Sequence, residues 1–266
     1  MTAEPVYRTT ITLGKLLFRA LDLRVRSAGA ENVPSTGPVI LACNHVSFPD
    51  FLFVGDALLG QPRLVRFLCR HDIWNSPAGP AMSAMRHVPV DREAPAAAYL
   101  QARSLLRAGE VVCAFPEAGI SAAYVVRAMM PGAAALARET GAALVPVTVW
   151  GGQRLWGQKR DLESPLPRPT IQRGRTVDVR FGEPRTVAAD ADLVEVTRSL
   201  GEHFQTELEQ LQRLPEHQPR PGEWAPWHPR HLGGDAVERT ASFALDGMPR
   251  AAVAPTWGPG VAPGSS

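Results

Sequence analysis

The sequence predicts a single α/β domain with a largely parallel sheet covered by helices, preceded by an amphipathic N-terminal helix. Three observations predict it. Near-continuous apolar runs recur, among them Val39–Cys43 and Ala143–Trp150. Helix-period segments separate these runs and often stop at a glycine, as at Gly60, Gly109 and Gly141. The chain has 266 residues, of which 45% are hydrophobic and 20% charged, enough for a full core. Strands that are apolar on both faces belong to parallel sheets sandwiched between helices, and strand–helix alternation is the mark of crossover units.

The elements follow in order. Residues 6–26 read as one helix within an N-terminal segment 1–27. At 3.6 residues per turn, Arg8, Lys15, Arg19 and Arg26 fall within roughly 20° of one line. Leu13, Leu16, Leu17 and Phe18 help fill a broad apolar arc beside them. Such a stripe suits a helix lying in an anionic membrane interface; it also suits a helix packed on the domain with a solvated basic edge. A turn-rich link with Gly29, Pro34 and Gly37 comes next. The domain 28–214 then alternates. Strands are expected at Val39–Cys43, 63–69, 87–90, 111–115, Ala143–Trp150 and Thr176–Phe181. Helices are expected at 50–59, 78–85, 96–108, Gly132–Thr140 and 192–214. Residues 215–266 are rich in Pro and Gly without periodicity and read as a flexible tail.

Bulk properties exclude several classes. A net charge of +2 does not suggest a nucleic-acid binder. Cys43, Cys69 and Cys113 lack the spacing of a metal or redox motif, and Cys43 and Cys113, which lie in apolar runs, read as small buried residues in a reducing compartment. No run of about 18 apolar residues offers a spanning helix. The first residues lack the order of a secretory signal, so a cytosolic setting is expected, at a membrane rather than free in solution.

Chemistry concentrates where strands end, since ligands of open α/β sheets sit beyond the strands' carboxyl ends. Asn44-His45-Val46-Ser47-Phe48-Pro49-Asp50 follows the first apolar strand. Ser47 to Asp50 fits a capping box, in which Asp50 only starts a helix. The same carboxylate is also placed to orient the His45 imidazole as a base. Arg92, after the strand near 87–90, is either a phosphate fork or half of an Asp91–Arg92 surface turn. Phe115-Pro116-Glu117-Ala118-Gly119-Ile120-Ser121 is either a ligand loop or an ordinary strand exit; Glu117 there can bond substrate hydroxyls or hold Arg92. Pro146 inside an apolar strand marks an edge, a bulge or a bend. Many cations lie in 153–185, among them Lys159, Arg160, Arg168, Arg173 and Arg175; they suit an anionic partner or plain solvent.

Asn-His-x4-Asp, Val-Asp-Arg, Phe-Pro-Glu and Val-Pro-Val, in this order, resemble the glycerolipid acyltransferase family, whose best-known members act on 1-acyl-glycerol-3-phosphate. The resemblance covers roughly residues 28–185. It implies a catalytic dyad of His45 and Asp50, with Arg92, Glu117, Gly119 and Ser121 shaping the acceptor site. It implies transfer of an acyl group from acyl-CoA or acyl carrier protein to the hydroxyl of a lyso-lipid, helped by backbone amides near the dyad, with no metal, cofactor or covalent enzyme intermediate. It also implies a peripheral position on an anionic membrane surface, at the cytoplasmic face of the cell membrane. The chain departs from the family pattern in two motifs. Ala118, Gly119 and Ile120 stand where Gly, Thr and Arg are usual, and Arg86 stands for the glycine that opens the second motif. Arg86 and Arg127 are the cations available to replace the lost charge. The leading expectation remains 1-acyl-glycerol-3-phosphate as acceptor and phosphatidic acid as product; the departures are what favours its rival, the same chemistry on another lyso-lipid or a glycolipid. A non-catalytic lipid-binding relative is the alternative of another class, and the intact His45–Asp50 pair speaks against it.

Overall fold

The computed structural model describes residues 4–260 apart from Met248 and Arg250. Seven strands form one sheet in the order β1-β7-β6-β2-β5-β3-β4, with β1 at Arg24–Ala28, β2 at Val39–Cys43, β3 at Val65–Arg70, β4 at Val88–Val90, β5 at Val111–Ala114, β6 at Ala143–Trp150 and β7 at Thr176–Phe181. Every pairing is parallel except β6 with β7. The largely parallel α/β sheet expected from the apolar strands is therefore present. All five residues of β2 and all four of β5 are buried.

Helices cover both faces. On one, α2 (Asp50–Ala57) packs on β1, β6 and β7, with α1 (Pro5–Ala20) outside it and against the short α3 (Gly79–Ala84). The other face carries α4 (Ala96–Arg107), α5 (Gly132–Thr140) and α7 (Leu193–Gln212), which pack on the sheet and on one another. The chain leaves β2 toward β3 and β4, returns as β5 beside β2, then crosses to β6 on its other side. The carboxyl ends of β2, β5 and β6 thus flank the point where strand order reverses, which is where this architecture leaves a crevice.

Two expectations need correction. The helix expected over 6–26 ends at Ala20, and residues 24–28 form β1. The basic spacing that suits a helix also hides a two-residue alternation, Leu23, Val25 and Ser27 against Arg24 and Arg26. Asp22 turns the chain with a left-handed backbone, φ 49°, and Arg26 forks onto Asp178 of β7 at 2.7 and 2.6 Å. A long-range ion pair on a strand outweighed local helical preference. What remains as α1 docks through a few contacts. Tyr7 Oη donates to Val65 O at 2.8 Å, Phe18 lies 5.5 Å from Phe53, and Arg66 donates twice to Glu4.

The second correction concerns 215–266, whose described residues pack against the domain rather than forming a flexible tail. His217 is buried, with Nε2 2.6 Å from Asp178 Oδ2. His228 is fully buried beside Trp150. Trp257 donates through Nε1 to Val126 O at 3.0 Å. Its ring lies against Gly201 of α7, where a Cβ would come within 2.4 Å. Val253 pairs with Met129, and α8 (Arg239–Asp246) adds a last helix. Short turns hold this layer, so no periodicity announced it. Trp257→Ala is expected to cost about 3–5 kcal/mol, lowering the melting temperature by roughly 10 °C. A differential scan that left it unchanged would show the layer to be loosely attached.

Pro146 sits at a bulge. Val147 pairs with Phe181, but Leu144 bridges to Arg185, so the β7 side carries one extra residue. Leu144 N–H points to Arg185 O. Pro146, two residues on, would aim its missing donor to the same side, where the ladder is already broken.

Candidate active site

The site begins where β2 ends. Asn44 clamps that end, donating to Val149 O at 3.1 Å and accepting from Val149 N–H at 2.7 Å. This fixes β2 to β6 just before His45. The chain then turns so that Asp50 enters the first turn of α2 fully buried. Asp50 Oδ2 lies 2.8 Å from His45 Nδ1 and accepts the N–H groups of Val46 and Ser47 at 2.8 and 2.9 Å. Ser47 Oγ donates to the other oxygen, Oδ1. The capping-box reading was right about the carboxylate reaching back. The hydroxyl differs: it donates to the acid rather than capping a helix N–H, and Pro49 holds the cap position.

Nδ1 of His45 faces a carboxylate, so it carries the proton, and Nε2 keeps a lone pair for a substrate. The side chain retains 18% of its surface in solvent while Asp50 retains none, the exposure of a base held from behind. Phe115 packs on the imidazole at 4.4 Å between ring centroids. Behind the loop, Gly152 touches Ser47 and Phe53; a Cβ there would sit 2.3 Å from Ser47 Oγ. The Gly151-Gly152 pair that closes β6 was a legible sign of this close approach, and it went unread.

Glu117 corrects an expectation. It is buried, and its oxygens accept the backbone N–H groups of His45 at 2.8 Å and Arg127 at 2.9 Å. It therefore braces the dyad loop against the loop after β5, and its hydrogen bonds engage neither Arg92 nor the open face. The amides nearest the dyad are committed too. Those of His45, Val46 and Ser47 serve the two carboxylates, and that of Phe48 donates to Trp156 O at 3.1 Å. An oxyanion donor has to come from outside residues 45–48.

The remaining candidates divide. Arg92 follows β4 and is exposed. Its pKa is lowered, first by partial desolvation of its charge, then by the like charges of Arg70 and Arg127. Three arginines thus gather near the ends of β3, β4 and β5. Gly119 borders Arg127, whose Nη1 lies 2.8 Å from where a Cβ would stand. Ser121 is buried in the loop beyond. Of the two cations available to replace the lost charge, Arg86 lies at the wrong end of the sheet, paired with Glu110 at 2.6 Å just before β5 begins. Arg127 lies at the right end. It is buried, 3.9 Å from Asp246 of α8, and its Nε has no partner among the described residues.

A parallel α/β sheet with a His–Asp pair beyond its central strand defines the class. The crystal structure of the 1-acyl-sn-glycerophosphate acyltransferase PlsC from Thermotoga maritima shares this fold, with a TM-score of 0.64 over 77% of this chain and 79% of that one, at 22% identity. The acyltransferase family model matches residues 24–150, the stretch from β1 through β6 that holds both His45 and Glu117. Over those residues the chain is similar to that family, and the curated relatives it matches are named 1-acyl-sn-glycerol-3-phosphate acyltransferases. The chloroplastic 1-acyl-sn-glycerol-3-phosphate acyltransferase of Arabidopsis thaliana is 30% identical over 63% of this chain and 49% of its own length. The 1-acyl-sn-glycerol-3-phosphate acyltransferase of Bacillus subtilis is 28% identical over 49% of this chain and 66% of its own. The matched region thus spans about half of the plant relative and about two-thirds of the bacterial one.

Burial pushes the Glu117 carboxyl up to about 8, against the two N–H groups that favour its charged form. A carboxyl whose folded pKa is raised binds its proton more tightly when folded. Its contribution to stability is therefore whole below the unfolded value near 4.5 and is lost as pH climbs through about 8. Stability curves of the wild type and Glu117→Gln are expected to converge with rising pH across that window. A constant gap between the two melting curves from pH 5 to 9 would refute this titration.

Proposed function

We propose that this chain is a membrane-associated O-acyltransferase that moves a fatty acyl group from a thioester, acyl-CoA or acyl carrier protein, to the hydroxyl of a lysophospholipid. The names of its relatives support 1-acyl-glycerol-3-phosphate as acceptor and phosphatidic acid as product. The observation that carries the reading is the geometry of His45. One nitrogen faces a fully buried carboxylate and the other is left for substrate.

In this reading Nε2 of His45 removes the proton of the acceptor hydroxyl as its oxygen attacks the thioester carbonyl. Asp50 keeps the ring's tautomer and stabilises the imidazolium. Collapse of the tetrahedral adduct breaks the carbon–sulfur bond, and the proton on Nε2 passes to the departing thiolate. Ester and free thiol are the products, and the base is restored. Arg92, with Arg127 behind Gly119, supplies positive charge for the acceptor's phosphate. No helix among the described residues is long and apolar enough to cross a membrane. Contact with the bilayer is assigned to α1, which leaves Leu13, Leu16 and Leu17 exposed beside Lys15 and Arg19.

The decisive experiment is an acceptor screen with one labelled acyl-CoA and a panel of lyso-lipids, read by product mass. Acylation of 1-acyl-glycerol-3-phosphate is expected. The altered loop Ala118-Gly119-Ile120 favours a second reading, the same chemistry on another lyso-lipid or a glycolipid, which the panel would reveal. Absence of any acylated product would end both. Within the active enzyme, His45→Ala should lower kcat by about 10²–10⁴-fold with the melting temperature kept; undiminished turnover would remove the dyad. Losing a hydrogen bond to a charged phosphate is worth about 1.5–3 kcal/mol. Arg92→Ala should accordingly raise KM for a phosphorylated acceptor at least about ten-fold while leaving that for the acyl donor near its wild-type value. Equal shifts in both constants would reject the assignment.

A further inference from the structure

The chain between β6 and β7 is unusually exposed for its composition. After the short helix α6 (Gln153–Trp156), residues 157–175 form no regular element, long for a connection inside a compact domain. Leu162, Leu166 and Ile171 are 63%, 52% and 83% exposed. Aliphatic tips in water at this density call for a partner. Five cations, Lys159, Arg160, Arg168, Arg173 and Arg175, stand among them against two acids, Asp161 and Glu163.

The loop is tied at both ends to features already described. At its start Trp156 packs on Phe48 at 5.0 Å between centroids and accepts the Phe48 N–H, three residues from His45. At its end Gly174 N–H donates to Leu21 O at 3.0 Å, and Arg24 N–H to Arg175 O at 2.9 Å, just where α1 terminates. In between, Trp156 Nε1 to Pro167 O at 2.8 Å and Thr170 N–H to Leu155 O at 2.7 Å fold the loop back on its root. One rim therefore runs from the dyad loop to the exposed leucines of α1.

We infer that the loop 158–175 is a second membrane-contact element, which inserts Leu162, Leu166 and Ile171 into an anionic bilayer interface and seats the mouth of the His45 site against the lipid. The occupant is a lipid surface for two reasons. Loop and α1 repeat one chemistry, bare aliphatic side chains flanked by cations, which matches hydrocarbon bordered by anionic head groups. They also adjoin, since the loop's end is hydrogen-bonded to the end of α1 at Leu21. The inference rests on the proposal that the enzyme works at a membrane, and it adds that α1 alone does not hold it there.

Co-sedimentation of the full chain with phosphatidylcholine vesicles, with and without phosphatidylglycerol, tests it. Two triple variants are compared: Leu162→Ser, Leu166→Ser and Ile171→Ser in the loop, and Leu13→Ser, Leu16→Ser and Leu17→Ser in α1. Each set is expected to weaken partitioning onto anionic vesicles at least about ten-fold, with the melting temperature within a few degrees of wild type. Arg168→Gln and Arg173→Gln together should weaken binding to anionic vesicles only, roughly five-fold per charge. Loss in the α1 set with wild-type partitioning in the loop set overturns the loop assignment and leaves membrane association standing. Wild-type partitioning in both sets overturns both. If the loop set converts a dimer to a monomer by sedimentation equilibrium while vesicle binding is kept, the face belongs to a second copy and the inference falls. Vesicle binding needs no turnover, so failure of the acyl-transfer reading would be seen separately.

Discussion

The Asp50 carboxylate organises everything at the carboxyl edge of the sheet. It is fully buried and takes four donors: His45 Nδ1, two backbone amides and the Ser47 hydroxyl. A buried carboxylate left short of partners would be costly. Here every donor comes from the six residues between β2 and α2, so satisfying the acid also shapes the loop. The acid also lies in the first turn of α2, where the helix dipole favours negative charge. One interaction therefore starts the helix, closes the turn and points the imidazole outward. A second carboxylate repeats the device from the other side. Glu117 holds the amides of His45 and Arg127 together, so the loop after β2 moves only with the loop after β5.

Much of this was legible because it is local. Apolar runs marked β2, β5 and β6, and α5, β6 and β7 fall at the bounds that periodicity suggests. The His45–Asp50 pair was readable both as a dyad and as a cap because the two roles use one carboxylate. Illegible parts depend on distant partners. Nothing near Arg26 announces Asp178, 152 residues away, yet that pair makes β1 a strand. Glu117 read as a substrate contact because its position after a strand is right for one. Only the folded chain shows both of its oxygens already occupied. The C-terminal layer was missed because it has no period: its buried His217, His228 and Trp257 are each placed by a turn and a single long-range contact.

The departures in the third motif form a connected set. Ala118 takes the left-handed backbone, φ 52°, in the place where the family pattern has glycine, at a steric cost of about 1–2 kcal/mol. The glycine has moved one place on, and its value there is space. Arg127 fills the volume that a side chain at 119 would need. Ile120 is buried with 2% exposure, so a cation at that position would lose its hydration without a partner. Bringing the charge from 127 instead requires an arginine that is itself buried, and the protein provides company for it. Asp246 approaches from α8 and Gly247 O faces Nη2.

The C-terminal layer thereby acquires a role beyond covering α7. Asp246 also accepts the Ala122 N–H at 3.1 Å, and Trp257 accounts for the Val126 carbonyl. Residues just ahead of Arg127 are thus pinned by a segment that follows the matched stretch 24–150 in sequence. Burial raises the pKa of Asp246 and the charge of Arg127 opposes that rise, so each charge makes the other's burial tolerable. The contact is long and Arg127 Nε has no partner among the described residues, which keeps the guanidinium short of full neutralisation. On the proposed function, a cation paired tightly enough to stay buried, yet loosely enough to attract a phosphate beyond Gly119, is what an acceptor site lacking its usual arginine would require.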